Sequence, residues 1–124
     1  MANPNILGST SVIGNNSLTS LSTTSATSII NNGSGSGKIF RVTSLIVANV
    51  DGEAAYPVTL NHYSAAALGG TAYAIVSTLN IPADSSVIII DKSNTIFIKE
   101  DQSIGATADT ADKLVVTASW EEIS

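Results

Sequence analysis

IPADSSVIIIDKSNTIFIKEDQSI, residues 81–104, decides the fold class. It holds two short apolar runs, Val87–Ile90 and Thr95–Ile98, with a polar tetrapeptide between them and an acidic turn behind. Both runs are dense in β-branched and aromatic residues, which suit a pleated, half-buried surface better than a helix. Asp91-Lys92-Ser93-Asn94 supplies side chains that hydrogen-bond nearby backbone or tolerate turn dihedrals. Pro82 has a fixed φ and no N–H to donate, so it belongs at the start of the first strand. The stretch reads as a β-hairpin, followed by a turn at Glu100-Asp101-Gln102.

Working outward, the same strand signals recur on both sides. Lys38–Val50 alternates, with Phe40, Val42, Ile46, Ala48 and Val50 expected on one face and Ser44 as the polar exception. Its second half is apolar on both faces, which predicts a central strand. Asp51-Gly52 is a turn signal. Ala55–Tyr63 then returns as a strand that Pro57 pushes toward an edge. Ser64–Thr71 (SAAALGGT) reads as a loop or short helical turn, and Ala72–Ile81 as a further strand. After the hairpin come a short strand at Ser103–Thr107 and a last one at Lys113–Ile123, with Leu114, Val116, Ala118 and Trp120 inward. About eight strands at short spacing, with no helix, predict an all-β chain: an antiparallel β-sandwich, jelly-roll-like.

The 124 residues suit one domain. Residues 1–37 form an N-terminal arm without a charged side chain, rich in Ser, Thr, Asn and Gly, and 38–124 form the sandwich. Disorder usually accompanies high charge and few β-branched residues. This arm instead carries Ile6, Leu7, Val12, Ile13, Leu18, Leu21, Ile29 and Ile30, so it is expected as one or two strands, Ser9–Ile13 and Thr23–Ile30, lying on the sandwich or on a neighbour. Asn31–Gly37 reads as a flexible connection.

Composition narrows function. Charged residues are 12% of the chain, about half the usual share of roughly 25%, and Ser, Thr and Asn replace them, a surface suited to β-proteins and to burial in an assembly. A net charge of −5 argues against nucleic acid. The chain contains no cysteine, which excludes disulfides and thiolate metal sites. No basic stretch followed by a continuous apolar one opens the chain, and no window approaches about 18 apolar residues, so neither signal peptide nor membrane span is expected.

Motifs for chemistry are sparse. His62 is the single imidazole, so any nucleophilic triad must run through it, and it reads more simply as a packing or contact residue. Glu100 and Asp101 are adjacent and point in different directions, as a solvated turn does. Asp51, Asp109 and Asp112 could gather around calcium, although no Asp-x-Asp-x-Asp-Gly loop is present. Trp120 is a core aromatic or an interface anchor, core being favoured. The sequence indicates no catalytic residue, no cofactor and no metal ligand set.

Lys38–Val50 (KIFRVTSLIVANV), Ile81-Pro82-Ala83 leading into VIIIDKSNTIFIKEDQSI, and the ending Thr117–Ile123 (TASWEEI) together resemble small virion structural proteins of tailed bacteriophages, of the marine and cyanobacterial phage type. Where those proteins have a Glu-Gly-Asp-like turn, this chain has Glu100-Asp101-Gln102. The resemblance implies a non-enzymatic β-sandwich located in the virion and assembled in the host cytoplasm. Its expected role is capsid decoration (a cement protein) that stabilises the head. Its expected partners are copies of itself, as a homo-oligomer such as a trimer, and the major capsid protein or other virion proteins, with no nucleic acid or membrane. The eight apolar arm residues are the expected interface. The alternatives are a neck or tail accessory protein, or a receptor- or carbohydrate-binding module gripping its ligand with Ser64–Thr71 and Ala108–Asp112.

Overall fold

The computed structural model describes residues 5–124. A 3-10 turn at Ile6–Gly8 precedes nine strands: β1 (Val12–Ser20), β2 (Thr27–Asn32), β3 (Ile39–Asn49), β4 (Tyr56–Ala65), β5 (Gly69–Ile81), β6 (Ser86–Ile90), β7 (Ile96–Ile98), β8 (Gln102–Ala108) and β9 (Leu114–Ile123). They form two antiparallel sheets. The first has the order β1-β9-β3-β6, with β7 also on β3, and the second the order β2-β8-β4-β5. β6 and β7 both run antiparallel to β3, at Leu45–Ala48 and Phe40–Val42 respectively, so together they occupy one strand position. Eight positions in two interleaved four-stranded sheets are those of a jelly roll. β4 and β5 are consecutive strands paired as a hairpin, whereas the other steps within residues 12–123 cross between sheets or continue one edge.

That arrangement corrects the reading of residues 81–104. The two apolar runs are strands, but they do not pair with each other as a hairpin. They are collinear pieces of one edge strand, and Asp91–Asn94 is a loop that leaves the edge and rejoins it. The loop satisfies itself: Ser93 donates to Asp91 Oδ1 through N–H at 2.9 Å and Oγ at 2.6 Å, and Asn94 Oδ1 accepts the Asp91 N–H at 2.7 Å. The Ser93 bonds hold the Asp91 carboxyl below its ordinary range, the hydroxyl contributing most.

β3 explains where the loop falls. Its register against β9 shifts between Val42 and Ser44, a bulge that turns the strand over. Phe40 and Val42 share a face as expected, and it is the core face. Beyond the bulge the inward set is Leu45, Val47 and Asn49 in place of Ile46, Ala48 and Val50, and Val50 is 59% exposed. The Asp91–Asn94 loop stands opposite this bulge, where neither strand offers a regular partner. Pro57 likewise does not mark an edge: β4 lies between β8 and β5. It is tolerated because β8 pairs β4 only from Val58 onward, so the missing N–H interrupts no bond to β8.

The core lies between the sheets, and the last strand supplies Leu114, Val116, Ala118 and Trp120 to it, as expected. Phe40 stacks against Trp120 with ring centroids 6.0 Å apart. Two buried asparagines close opposite ends of β3. Asn32 donates to the carbonyls of Lys38 and Ile98, at 2.9 and 3.1 Å, and accepts from Ser36 Oγ. Asn49 donates to the carbonyls of Ala54 and Ile81, both at 2.9 Å, and accepts from the Asp51 N–H. Asn31–Gly37 is therefore no free linker: Asn32 belongs to β2, and the Gly37 N–H donates to Glu100 Oε2 at 2.6 Å.

The division at residue 37 does not survive either. β1 pairs β9 in the first sheet, β2 pairs β8 in the second, and Leu21, Ile29 and Ile30 are part of the core. The arm is two strands of the sandwich itself. Its residues 1–4 lie outside the described residues.

Candidate functional site

β1 is an edge strand, and among the described residues none pairs with its outer side. Its hydrogen-bond phase follows from its ends: Ser11 and Ser124 exchange bonds (2.9 and 3.1 Å), and the Leu21 N–H donates to the Leu114 carbonyl at 2.9 Å. In antiparallel pairing the bonding direction alternates. Odd residues from 11 to 21 therefore bond to β9, and the N–H and C=O of Val12, Gly14, Asn16, Leu18 and Ser20 point away from it. Asn15 Oδ1 accepts the outward Asn16 N–H at 2.8 Å, which confirms the phase.

The side chains on this edge are apolar or neutral. Val12 is 53% exposed, Ile13 56% and Leu18 73%. Leu18 continues across the outer face of the first sheet as a row, opposite Thr117, which is opposite Ile46, which is opposite Ile88. Ile88 is itself 61% exposed. Toward the other end of the sheet the face becomes charged. Arg41 Nε donates to Glu121 Oε1 at 2.7 Å, beside a hollow of about 410 Å3 lined by Arg41, Thr43, Lys92, Thr95 and Glu121.

Glu122 anchors that end. Burial alone would raise its pKa, but Asn15 Nδ2 at 2.9 Å, Lys38 Nζ at 3.1 Å and Trp120 Nε1 at 3.2 Å all donate to its carboxylate and together hold it below the ordinary value. Asn15 is on β1, so the carboxylate also fixes the edge strand to the body.

The eight expected interface residues divide. Leu21, Ile29 and Ile30 are at most 4% exposed in this chain's own core and have no surface to offer. Sequence periodicity could not separate them, because composition is the same along the arm while Leu21 just after β1 and Ile29 and Ile30 on β2 are the parts that the body covers. Ile6, Leu7, Val12, Ile13 and Leu18 remain exposed, Leu7 at 98% on the 3-10 turn. Ile46 and Ile88 are additions. Ile46 was expected on the same face as Phe40 and Val42, and the bulge at Thr43 brings it to the opposite, outer face.

Other candidate groups have structural partners. His62 Nε2 lies 3.2 Å from the neutral Gln102 Oε1, in a hollow of about 150 Å3 with Tyr63, Ser64 and Tyr73. Trp120 belongs to the core cluster. Among the described residues no three His, Asp or Glu side chains gather in a metal-binding group, and Asp51 faces Lys113 at 3.9 Å. The two loops considered for ligand binding are at opposite ends of β8: Ser103, near its start, bonds the turn at Ala65–Leu68, and Ala108 is its last residue. They cannot close on one small ligand.

No family model and no curated protein matches the sequence. The fold is similar to that of a solved chain from Bacillus endospore appendages, described as a novel family of disulfide-linked pili: TM-score 0.54, 15% identity, 100% of this chain and 96% of that chain.

Proposed function

We propose that this protein is a non-enzymatic structural subunit that works by assembling, in the setting of a phage virion, as a decoration protein clamping the outside of the head. The observation that carries the reading is the open β1 edge, whose outward backbone groups and exposed Val12, Ile13 and Leu18 are equipped for strand addition without charges. An edge of this kind left unpaired invites association. The virion setting comes from the sequence resemblance, with the neck or tail as the other location in the same particle.

A second reading, a filament subunit, is favoured by the likeness to the endospore appendage chain, which covers all of this sequence. The disulfide linkage of those pili has no counterpart here, because this chain has no cysteine. Immunogold electron microscopy of particle preparations, beside negative-stain imaging of the concentrated protein alone, tests both. Label on heads supports decoration, and label on necks or tails supports the accessory location. Self-formed filaments support the second reading. A chain that labels no particle and assembles into nothing refutes assembly as its role.

A further inference from the structure

Four positions form the edges of the two sheets: β1 and the β6–β7 pair in the first, β2 and β5 in the second. Three of them are interrupted. β2 is six residues long with a register shift between Ser28 and Ile30, β5 pairs β4 with shifts at three places, and β6 and β7 are parted by the Asp91–Asn94 loop. Breaks of this kind spoil an edge as a template for another strand. β1 has none: its nine residues pair β9 in continuous register and include neither proline nor charge. We infer that β1 pairs with β1 of a second copy, antiparallel about a two-fold axis through Asn16, joining the two first sheets into one. The inference rests on the assembly reading above and names its contact.

Three features select a second copy as the occupant. Among the described edges only another β1 is as long and unbroken, so the contact uses the same surface on both sides and closes at two chains in place of the expected trimer. The whole chain carries a net charge of −5, which opposes close approach, whereas β1 places no like charges opposite one another.

The register is also self-complementary. With Asn16 on the axis, Val12 faces Ser20, Gly14 faces Leu18 and Asn16 faces its own copy. All five outward-pointing residues then meet outward-pointing partners, as antiparallel hydrogen-bonded pairs require. Asn16 exchanges its bond to Asn15 for one to the partner strand. Leu18, the most exposed apolar residue of β1, lies against Gly14 of the second copy. A Cβ built on Gly14 meets nothing within 4 Å in the single chain, so the space over it is open to that leucine.

The test uses the full chain, light scattering coupled to gel filtration, and an engineered cross-link. The unaltered protein is expected to run as a dimer at tens of micromolar. Gly14→Leu places a side chain where Leu18 of the second copy should sit, and Leu18→Gly removes that leucine. Each is expected to weaken dimerisation roughly tenfold or more, the value of burying one such side chain. The double variant exchanges knob and hole and is expected to recover most of the loss. Both positions are exposed, so neither change threatens folding, which circular dichroism checks. Asn16→Cys puts two thiols on the axis with Cα atoms about 5.5 Å apart, within disulfide range, and is expected to cross-link under mild oxidation, while Ser86→Cys on the β6 edge does not. A monomer at every concentration overturns the pairing, even where β1 variants still lose particle attachment. A dimer that Asn16→Cys fails to capture and Gly14→Leu fails to weaken overturns it too.

Discussion

β1 and β5 are both long edge strands without a charged residue, yet they differ as templates for a neighbour. β5 is 13 residues long and mostly exposed, but its pairing with β4 slips at three places and Thr78 sits at φ 53°. It springs from a turn in which Ala67 and Leu68 adopt left-handed backbone, at φ 57° and 59°. Each such residue costs about 1–3 kcal/mol and persists only where its surroundings enforce it. Here the three N–H groups of Ala66, Ala67 and Leu68 donate to Asp101 Oδ1, Asn31 Oδ1 and Ser103 Oγ at 3.1, 2.8 and 3.0 Å. β1 is shorter, straight in register and unstrained. An edge is thus protected by the regularity of its backbone as much as by its composition, and these two strands, alike in composition, are opposites in regularity.

The sharpest way to separate them is at their roots. Leu21 follows β1 and is 1% exposed; its N–H donates to the Leu114 carbonyl and its carbonyl accepts from the Asp112 N–H, both at 2.9 Å. Leu21→Ala should destabilise the chain by about 2–5 kcal/mol, as large-to-small core changes do, measured by urea denaturation. An effect below about 0.5 kcal/mol would mean that β1 is a detachable arm after all. At the root of β5, Leu68 folds over Gly105, where a Cβ would lie 2.6 Å from Leu68 Cδ2 and 3.1 Å from Tyr63 Cε2. Gly105→Ala should cost about 1–3 kcal/mol through overpacking and loosen the β4–β5 turn, seen as faster amide exchange at Ala66–Leu68. Unchanged exchange there would show that the turn holds without this contact.

The same two strands show how far the sequence could be read. Strand content, the sandwich and the inward face of β9 were legible because period-two alternation survives wherever a strand is regular. The β6–β7 break was not. Asp91–Asn94 has hairpin composition, and nothing local distinguishes a turn that reverses the chain from a loop that returns it to the same edge; the bulge in β3, some fifty residues earlier in sequence, decides it. Ser44, polar in an otherwise apolar face, was the one visible sign of that bulge. At the candidate site, the exposed apolar residues of β1 were legible as apolar. Their division from Leu21, Ile29 and Ile30 required knowing which part of each strand the opposite sheet covers.

A smaller effect is expected at the carboxylate that ties β1 to the body. Glu122 accepts from Asn15 of β1, from Lys38 and from Trp120, and its folded-state pKa lies below the ordinary value of 4.5. Its stabilisation is present above the unfolded-state value and is lost as pH falls through the lower, folded one. Glu122→Gln should cost about 1 kcal/mol at neutral pH, allowing for the solvent around Lys38. The difference from the unaltered chain should shrink in acid below pH 4.5. A difference that holds constant down to pH 3 would assign the effect to packing and not to charge.

The smallest expected change in folding carries the sharpest contrast between the edges. Leu18→Lys on β1 and Tyr73→Lys on β5 each add one positive charge at an exposed position, 73% and 63% accessible. Each shifts the net charge of −5 by the same amount, so general solubility effects cancel between them. Neither should alter the stability of the single chain by more than about 0.5 kcal/mol, the usual range for exposed positions. Association linked to folding makes the melting temperature rise with protein concentration, because a partner that binds only the folded form stabilises it by mass action. Lysine on an edge is also a natural guard against strand addition. The unaltered chain and Tyr73→Lys should therefore keep a concentration-dependent melting temperature in scanning calorimetry, and Leu18→Lys should lose it. The reverse pattern would move the assembly edge to β5, whose irregular pairing would then have to be what its partner recognises.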